Sequence, residues 1–198
     1  FARACGVPRE RFQHPAGGET MNYDFITDRL AVGDVASRCD SGFDAVVSVI
    51  TTTERPGILC AELLPGRGPQ VPDGTPVHEI DLADGECFAM GPYMRRLESY
   101  LDGAVEFIAA HIKTGYVLVH CGAGHSRSVA VVCAYLCRYA GMSWSEALAL
   151  VKSRRPAASP CDAFYRAVTN WLRLDTLTAS GPHCAAPPKG STPCSGTR

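Results

Sequence analysis

The sequence predicts an α/β fold: a central, mostly parallel sheet of about five strands with helices on both faces. Three observations support this prediction. Short apolar runs at 43–50 and 116–120 are typical of buried strands. Residues 92–113 carry apolar side chains at helical spacing, which predicts a long helix between strands. A glycine-containing loop then joins the second apolar run directly to an apolar helix at 128–139.

The first part of the chain predicts an irregular arm followed by a hairpin. Residues 1–20 contain Pro, Gly and Arg with little periodicity, which predicts a flexible arm. Two short strands are expected on either side of residues 27–29. Asp34 is expected to cap a short helix that runs to Arg38. Residues 54–76 contain nine Pro and Gly residues, which predicts a long surface loop.

The second part predicts a further strand, two closing helices and a tail. A strand is expected at 77–80. Ser143 and Glu146 have capping-box spacing and are expected to open a helix. A last helix is expected near 161–174, and the Pro-, Gly-, Ser- and Thr-rich residues 176–198 predict a disordered tail. The predicted organisation is therefore an arm at 1–20, one domain at 21–175 and a tail at 176–198.

The loop before the apolar helix predicts an anion site. Residues 120–128 read His-Cys-Gly-Ala-Gly-His-Ser-Arg-Ser. The start of a helix leaves backbone N–H groups without intrahelical partners, and these groups bind anions together with the helix dipole. Gly122 and Gly124 let the backbone curl closely around a bound group.

Three side chains of this loop predict attack on a phosphate ester. Cys121 lies at the loop entrance, where the helix N-terminus and a nearby cation favour the nucleophilic thiolate. Arg127 offers a planar fork that matches two phosphate oxygens. Ser128 can place a hydroxyl near the sulfur and help it leave later. The expected reaction proceeds through a phosphocysteine intermediate.

Residues 120–128 resemble the signature loop of the dual-specificity protein phosphatases, a family of cysteine-dependent phosphatases. That loop reads His-Cys-x-Ala-Gly-x-Ser-Arg-Ser, and every fixed position is present. Ala-Tyr-Leu at 134–136 resembles the family's central helix, and the likeness covers about residues 22–174. The resemblance implies a phosphatase-type active-site loop at the carboxyl edge of the sheet.

The resemblance also implies roles for individual residues. An aspartate after the 77–80 strand protonates the leaving oxygen in the family, and Asp84 fits its register, with Asp81 and Glu86 as rivals. His120 is expected to orient the loop and tune the thiol, or else to be a structural core histidine. The residues expected to bind substrate are Gly122, Ala123, Gly124, His125, Ser126 and Arg127, with His125 more a rim residue than a catalyst.

Two features depart from the family's pattern. A short insertion near 87–93 lengthens the segment between Asp84 and Cys121. The family's Arg-Pro…Pro-Asn-x-x-Phe segment, whose asparagine helps to brace the loop, has Cys161 in place of that asparagine. The resemblance therefore predicts a less firmly braced loop here.

Composition limits the partners that are expected. The net charge is −1 and no apolar run is long enough to span a membrane, so we expect neither a nucleic-acid nor a membrane partner. The ten cysteines are interpreted as free thiols, because a nucleophilic thiolate needs a reducing setting. The expected location is intracellular, cytoplasmic or nuclear, and the oligomeric state stays open.

The function expected from the sequence is hydrolysis of phosphotyrosine and phosphoserine or phosphothreonine in a phosphoprotein substrate, without a metal or cofactor. Lipid or RNA 5′-phosphatase activity is an alternative, although residues 122–126 contain no Lys or Arg. A catalytically weak, phosphate-binding pseudophosphatase is a second alternative. A zinc site built from Cys133, Cys137 and a distant histidine is the metal-binding alternative.

Overall fold

The computed structural model of the chain describes residues 12, 22–51, 71–83 and 92–179. Several predictions concern residues outside these ranges: Asp84, Glu86, the insertion before residue 92, most of the 54–76 loop, most of the 1–20 arm and all but the first residues of the 176–198 tail.

Five strands of the described part form one sheet. They are β1 (Tyr23–Phe25), β2 (Leu30–Gly33), β3 (Ala45–Val49), β4 (Val77–Ile80) and β5 (Val117–His120). Their order in the sheet is β1-β2-β5-β3-β4. The β1–β2 pair is antiparallel and the other neighbouring pairs are parallel, so the predicted mostly parallel sheet is confirmed. The central position of β5 buries it on both faces.

Within the described ranges, four α-helices pack on one face of this sheet. They are α1 (Pro92–His111), α2 (Arg127–Ala140), α3 (Trp144–Arg154) and α4 (Asp162–Ala179). Buried residues of all four join one apolar cluster with strand residues such as Val32, Val47 and Val119. Because alternate strand residues point to opposite faces, this cluster lies on a single side of the sheet.

Capping signals in the sequence set several helix boundaries. The Asp34 carboxylate accepts hydrogen bonds from two backbone N–H groups of the 3₁₀ helix Val35–Cys39. The Ser143 hydroxyl accepts a hydrogen bond from the Glu146 N–H, and the Glu146 carboxylate accepts one from the Ser143 N–H. Gly141 ends α2 with a φ of 66°, a left-handed conformation that favours glycine. The boundaries predicted at Asp34 and Ser143 are confirmed.

The sequence predicts helices on both faces of the sheet, whereas the residues that the structure describes form an aromatic cluster on its second face. Within the described part, Val46 and Leu118 form that face together with several aromatic rings. Phe12 is 2% exposed, and its ring packs against four others. Those rings belong to Tyr23, Phe25, Phe43 and Tyr116. Phe12 is the one described residue of the predicted flexible arm, and it has fixed contacts that the sequence reading did not predict.

The fold positions the loop after β5 through backbone contacts with the end of β2. The Cys121 N–H donates a hydrogen bond to the Gly33 carbonyl at 3.3 Å. The Val35 N–H in turn donates to the Gly122 carbonyl at 3.2 Å. The first two residues of the loop are therefore fixed by the neighbouring strand and by the 3₁₀ helix that follows it.

Candidate active site

The loop between β5 and α2 is a tight turn built around Gly124. Gly124 has a φ of +70°, which side-chain-bearing residues rarely adopt. A Cβ atom at this position would lie 2.6 Å from the carbonyl oxygen of Gly33. The close approach of these two backbone segments is the physical reason for a glycine at position 124.

The sulfur of Cys121 lies inside this turn. The Gly124 N–H donates a hydrogen bond to Sγ at 3.2 Å, and the Ser128 Oγ lies 3.3 Å from Sγ. Both groups therefore lie where they can donate a hydrogen bond to the sulfur. The structure thus places Ser128 beside the sulfur, where the sequence interpretation requires it.

Arg127 is the first residue of α2 and is 2% exposed. Its Nη1 donates a hydrogen bond to the carbonyl oxygen of Leu82 at 2.9 Å. Leu82 lies just after β4, on the segment in which the sequence predicts the general acid. The arginine of the signature loop therefore contacts the backbone of the segment that leads to that acid.

The identity of the general acid stays a prediction. Asp84 and Glu86 lie outside the described residues, while Asp81 is half-buried directly after β4. The structure describes this segment as far as Ala83. The contact between Arg127 and Leu82 brings the segment to the signature loop whichever of the three acids donates the proton.

His120, the last residue of β5, is buried. Burial lowers the pKa of His120 to about 4, and the positive charges of Arg38 and Arg127 act in the same direction. The imidazole is therefore uncharged near neutral pH. This favours a structural or orienting role for His120.

The remaining loop residues divide into a rim and a base. Ala123 and His125 are exposed, so His125 occupies the rim position predicted for it. Gly122 is half-buried, and Ser126 is buried immediately before α2. The Ser126 side chain makes no capping hydrogen bond to α2.

The structure adds a residue that sequence reasoning missed. Arg155, directly after α3, is buried and donates hydrogen bonds from Nε to the Gly124 carbonyl at 2.7 Å and from Nη2 to the Ala123 carbonyl at 3.3 Å. The Ser159 N–H donates to the His125 carbonyl at 2.7 Å. The only sequence signal was that the stretch beginning at Arg154 resembles the family's Arg-Pro…Pro-Asn-x-x-Phe segment, in which the asparagine helps to brace the loop.

The described residues offer little for the metal-binding alternative. Cys133 and Cys137 are buried in the apolar core of α2. Burial raises the pKa of Cys133 to about 12, which disfavours the thiolate that a metal would bind. No group of three or more His, Cys, Asp or Glu side chains within the described ranges is placed to hold a metal ion.

Among the helices that the structure describes, none has the length and apolar character needed to cross a membrane.

Comparison with known proteins identifies the family. The model of the family described as "Dual specificity phosphatase, catalytic domain" matches residues 75–173, which is half of the chain. The chain belongs to the dual-specificity phosphatase family. It is 52% identical over 71 residues to "Dual specificity protein phosphatase 1" of Arabidopsis thaliana, a match that covers 35% of this chain and 36% of that relative.

Solved structures with this fold agree with the family. Human DUSP28 superimposes with a TM-score of 0.60 at 22% identity, covering 81% of this chain and 99% of that one. A structure titled PTPMT1 in complex with PI(5)P superimposes with a TM-score of 0.59 at 18% identity, covering 80% and 99% of the two chains. At these identities the likeness concerns the dual-specificity phosphatase fold alone.

Proposed function

We propose that this member of the family is an active protein phosphatase that hydrolyses phosphotyrosine and phosphoserine or phosphothreonine through a phosphocysteine intermediate. One observation carries the proposal. The Cys121 Sγ accepts a hydrogen bond from the Gly124 N–H and lies 3.3 Å from the Ser128 Oγ, at the start of the helix that bears Arg127. A nucleophile, donors and an anion-binding fork thus meet at one helix N-terminus.

In the first step the Cys121 thiolate attacks phosphorus in line with the leaving oxygen. An S–P bond forms and the P–O bond to the substrate breaks. Arg127 and the loop N–H groups hold the non-bridging phosphate oxygens, whose charge distribution changes in the transition state. The leaving oxygen takes a proton from the acid on the segment after β4, to which we assign Asp84.

In the second step water attacks the phosphocysteine. The carboxylate formed in the first step takes the proton from water, so one group serves as acid and then as base. The O–P bond forms, the S–P bond breaks and inorganic phosphate leaves. A hydrogen bond from Ser128 to Sγ stabilises the departing thiolate, since the hydroxyl already lies 3.3 Å away.

Hydrolysis assays with the full chain test this function. The substrates are a phosphotyrosine peptide, a phosphothreonine peptide, a phosphoinositide and a 5′-triphosphorylated RNA. We expect both peptides to be hydrolysed, and Cys121→Ser to abolish turnover while peptide binding is kept. Activity of Cys121→Ser within tenfold of the parent would contradict the assignment of the nucleophile.

The same panel separates the alternatives. The structural neighbour whose title names PI(5)P favours the phosphoinositide as the second candidate substrate. However, residues 122–126 of this chain contain no lysine or arginine that could contact further phosphates of an inositol headgroup. Faster turnover of the phosphoinositide or the RNA than of either peptide would replace our proposal. Binding of peptides without any turnover would indicate a pseudophosphatase.

A further inference from the structure

Three consecutive carbonyl groups of the loop are held by one short segment of chain. Arg155 donates hydrogen bonds to the carbonyls of Ala123 and Gly124, and the Ser159 N–H donates to that of His125. The C=O and N–H of a trans peptide unit point in opposite directions. Holding these carbonyls therefore turns the N–H groups of the following residues toward the other side of the loop.

One peptide unit shows this coupling directly. The carbonyl of Ala123 accepts a hydrogen bond from Arg155, while the N–H of the same peptide unit, that of Gly124, donates to the Cys121 Sγ. A single rigid plane thus joins the arginine to the sulfur. Rotation of this plane would move the N–H donor away from the sulfur.

The Arg155 guanidinium is itself held in place. Its Nη1 lies 2.7 Å from the Asp24 Oδ2 on β1, and the residue is 9% exposed. Nε, Nη1 and Nη2 each contact a different acceptor, an arrangement that needs the planar fork of arginine and that a lysine cannot reproduce. The guanidinium also packs closely against the backbone of Gly124, because a Cβ atom added at Gly124 would lie only 2.6 Å from Arg155 Nη2.

We propose that Arg155, fixed by Asp24, is a positioning residue that orients the N–H groups of the signature loop toward the bound phosphate and the Cys121 sulfur. It touches neither substrate nor reacting atoms in this role, because it acts through the peptide units of Ala123 and Gly124. The inference rests on the proposed function, since it assigns this orientation to phosphate binding and transfer.

Arg155→Lys and Arg154→Lys form a matched pair for the test. Arg154 is the preceding residue, ends α3 and is exposed. The dissociation constant of tungstate, an unreactive phosphate analogue, and kcat and KM for an aryl phosphate are measured well below the melting temperature. We expect Arg155→Lys to weaken tungstate binding about tenfold and to lower kcat by about tenfold to a hundredfold, with a smaller change in KM. Arg154→Lys should change each value less than threefold.

A variant of the partner residue supports the same test if Arg155→Lys folds poorly. Asp24→Asn leaves Arg155 and its loop contacts in the chain and should weaken tungstate binding about threefold. In the double variant with Arg155→Lys, the two losses should combine to less than their product, because both act on one guanidinium position. Tungstate affinity and kcat of Arg155→Lys within threefold of Arg154→Lys would overturn the inference. A lower melting temperature with unchanged tungstate affinity would overturn it too.

Failure of the proposed function can be distinguished from failure of the inference about Arg155. If the wild type binds tungstate but hydrolyses no phosphate ester, the proposed function is wrong, and the tungstate affinities of the variants still decide the role of Arg155. If the wild type binds no tungstate, the loop holds no phosphate-like anion and both proposals are wrong.

Discussion

At the scale of single residues, Gly124 combines an unusual backbone conformation, close contacts with two other segments and a hydrogen bond to Cys121. Its φ of +70° and the approach of the Gly33 carbonyl both disfavour a side chain, and Arg155 Nη2 lies 2.6 Å from the position that a Cβ atom would take. Its N–H also donates a hydrogen bond to the Cys121 sulfur. Sequence reasoning could predict that the loop needs glycine, because tight anion-binding turns do. It could not predict the neighbours, which come from residues 91 positions before and 31 positions after Gly124.

We predict that Gly124→Ala lowers kcat by about a hundredfold, because the loop must move to relieve the clash with the Gly33 carbonyl and a displacement of this kind is costly. Gly141→Ala is the matched control: φ is +66° there, but no atom lies within 4 Å of the added Cβ. Both variants should lose about 1–2 kcal/mol of stability from the left-handed conformation. Equal kcat values for the two variants in steady-state assays would contradict the prediction.

Arg127 carries the second prediction at this scale. Arg127→Lys keeps the charge but loses the fork, and with it the hydrogen bond from Nη1 to Leu82. We expect kcat to fall by about a hundredfold and tungstate binding to weaken, because in the proposed mechanism the guanidinium fork holds two oxygens of the transferring phosphoryl group, which a lysine cannot do. Arg138→Lys, on the same helix but paired with Asp102, serves as control. Parent-like kinetics of Arg127→Lys would mean that the loop does not hold phosphate in the way described.

At the scale of elements, local signals predicted the boundaries well. The β1–β2 hairpin, the cap at Asp34 and the capping box at Ser143 are confirmed, because each depends on residues within a few positions of one another. The end of α4 was predicted less well. The helix continues to Ala179, past the predicted end near 174. Residues 175–179 contain neither glycine nor proline, so no sequence signal stops the helix at 174.

The segment after β4 carries the prediction about the general acid. A leaving alkoxide or phenoxide of high basicity needs a proton, whereas an activated aryl oxide does not. Asp84→Asn should therefore slow phosphopeptide hydrolysis by about 10²–10⁴-fold and affect an activated aryl phosphate far less. It should also flatten the basic limb of the pH–rate profile. Asp81→Asn is the control and should leave that limb unchanged. If the two variants exchange these behaviours, the register counted from Ile80 is wrong.

At the scale of the whole molecule, sequence patterns predicted the sheet and its helices but not the contacts between distant residues. Arg155 and Asp24 lie 131 positions apart, and no periodicity links them. The position of Phe12 in the aromatic cluster was missed for the same reason: an isolated aromatic residue in an irregular stretch has no pattern to predict its burial. Such contacts form only when distant parts of the chain pack together, so no local pattern in the sequence predicts them.

The buried His120 gives the whole molecule a predictable response to acid. Its pKa is about 4 in the folded chain against a usual 6.5, so the unfolded chain binds the proton more readily. The unfolding free energy therefore rises with pH between these values, and the stabilisation is complete above pH 6.5 and lost as pH falls toward 4. The difference corresponds to about 3 kcal/mol. Burial also lowers the pKa of His78, which adds a contribution of the same sign.

We predict that urea unfolding between pH 4.5 and 6 shows a steeper loss of stability in the wild type than in His120→Asn. The difference in slope should approach about 1.4 kcal/mol per pH unit, because one proton fewer is taken up on unfolding of the variant. His125→Asn, which changes an exposed histidine of the same loop, is measured in parallel as the control for replacing a histidine by asparagine. The test compares how the unfolding free energy changes with pH. It therefore remains valid if His120→Asn is less stable than the wild type by the same amount at every pH. Equal slopes for the wild type and His120→Asn would mean that His120 is protonated in the folded chain as readily as in the unfolded one.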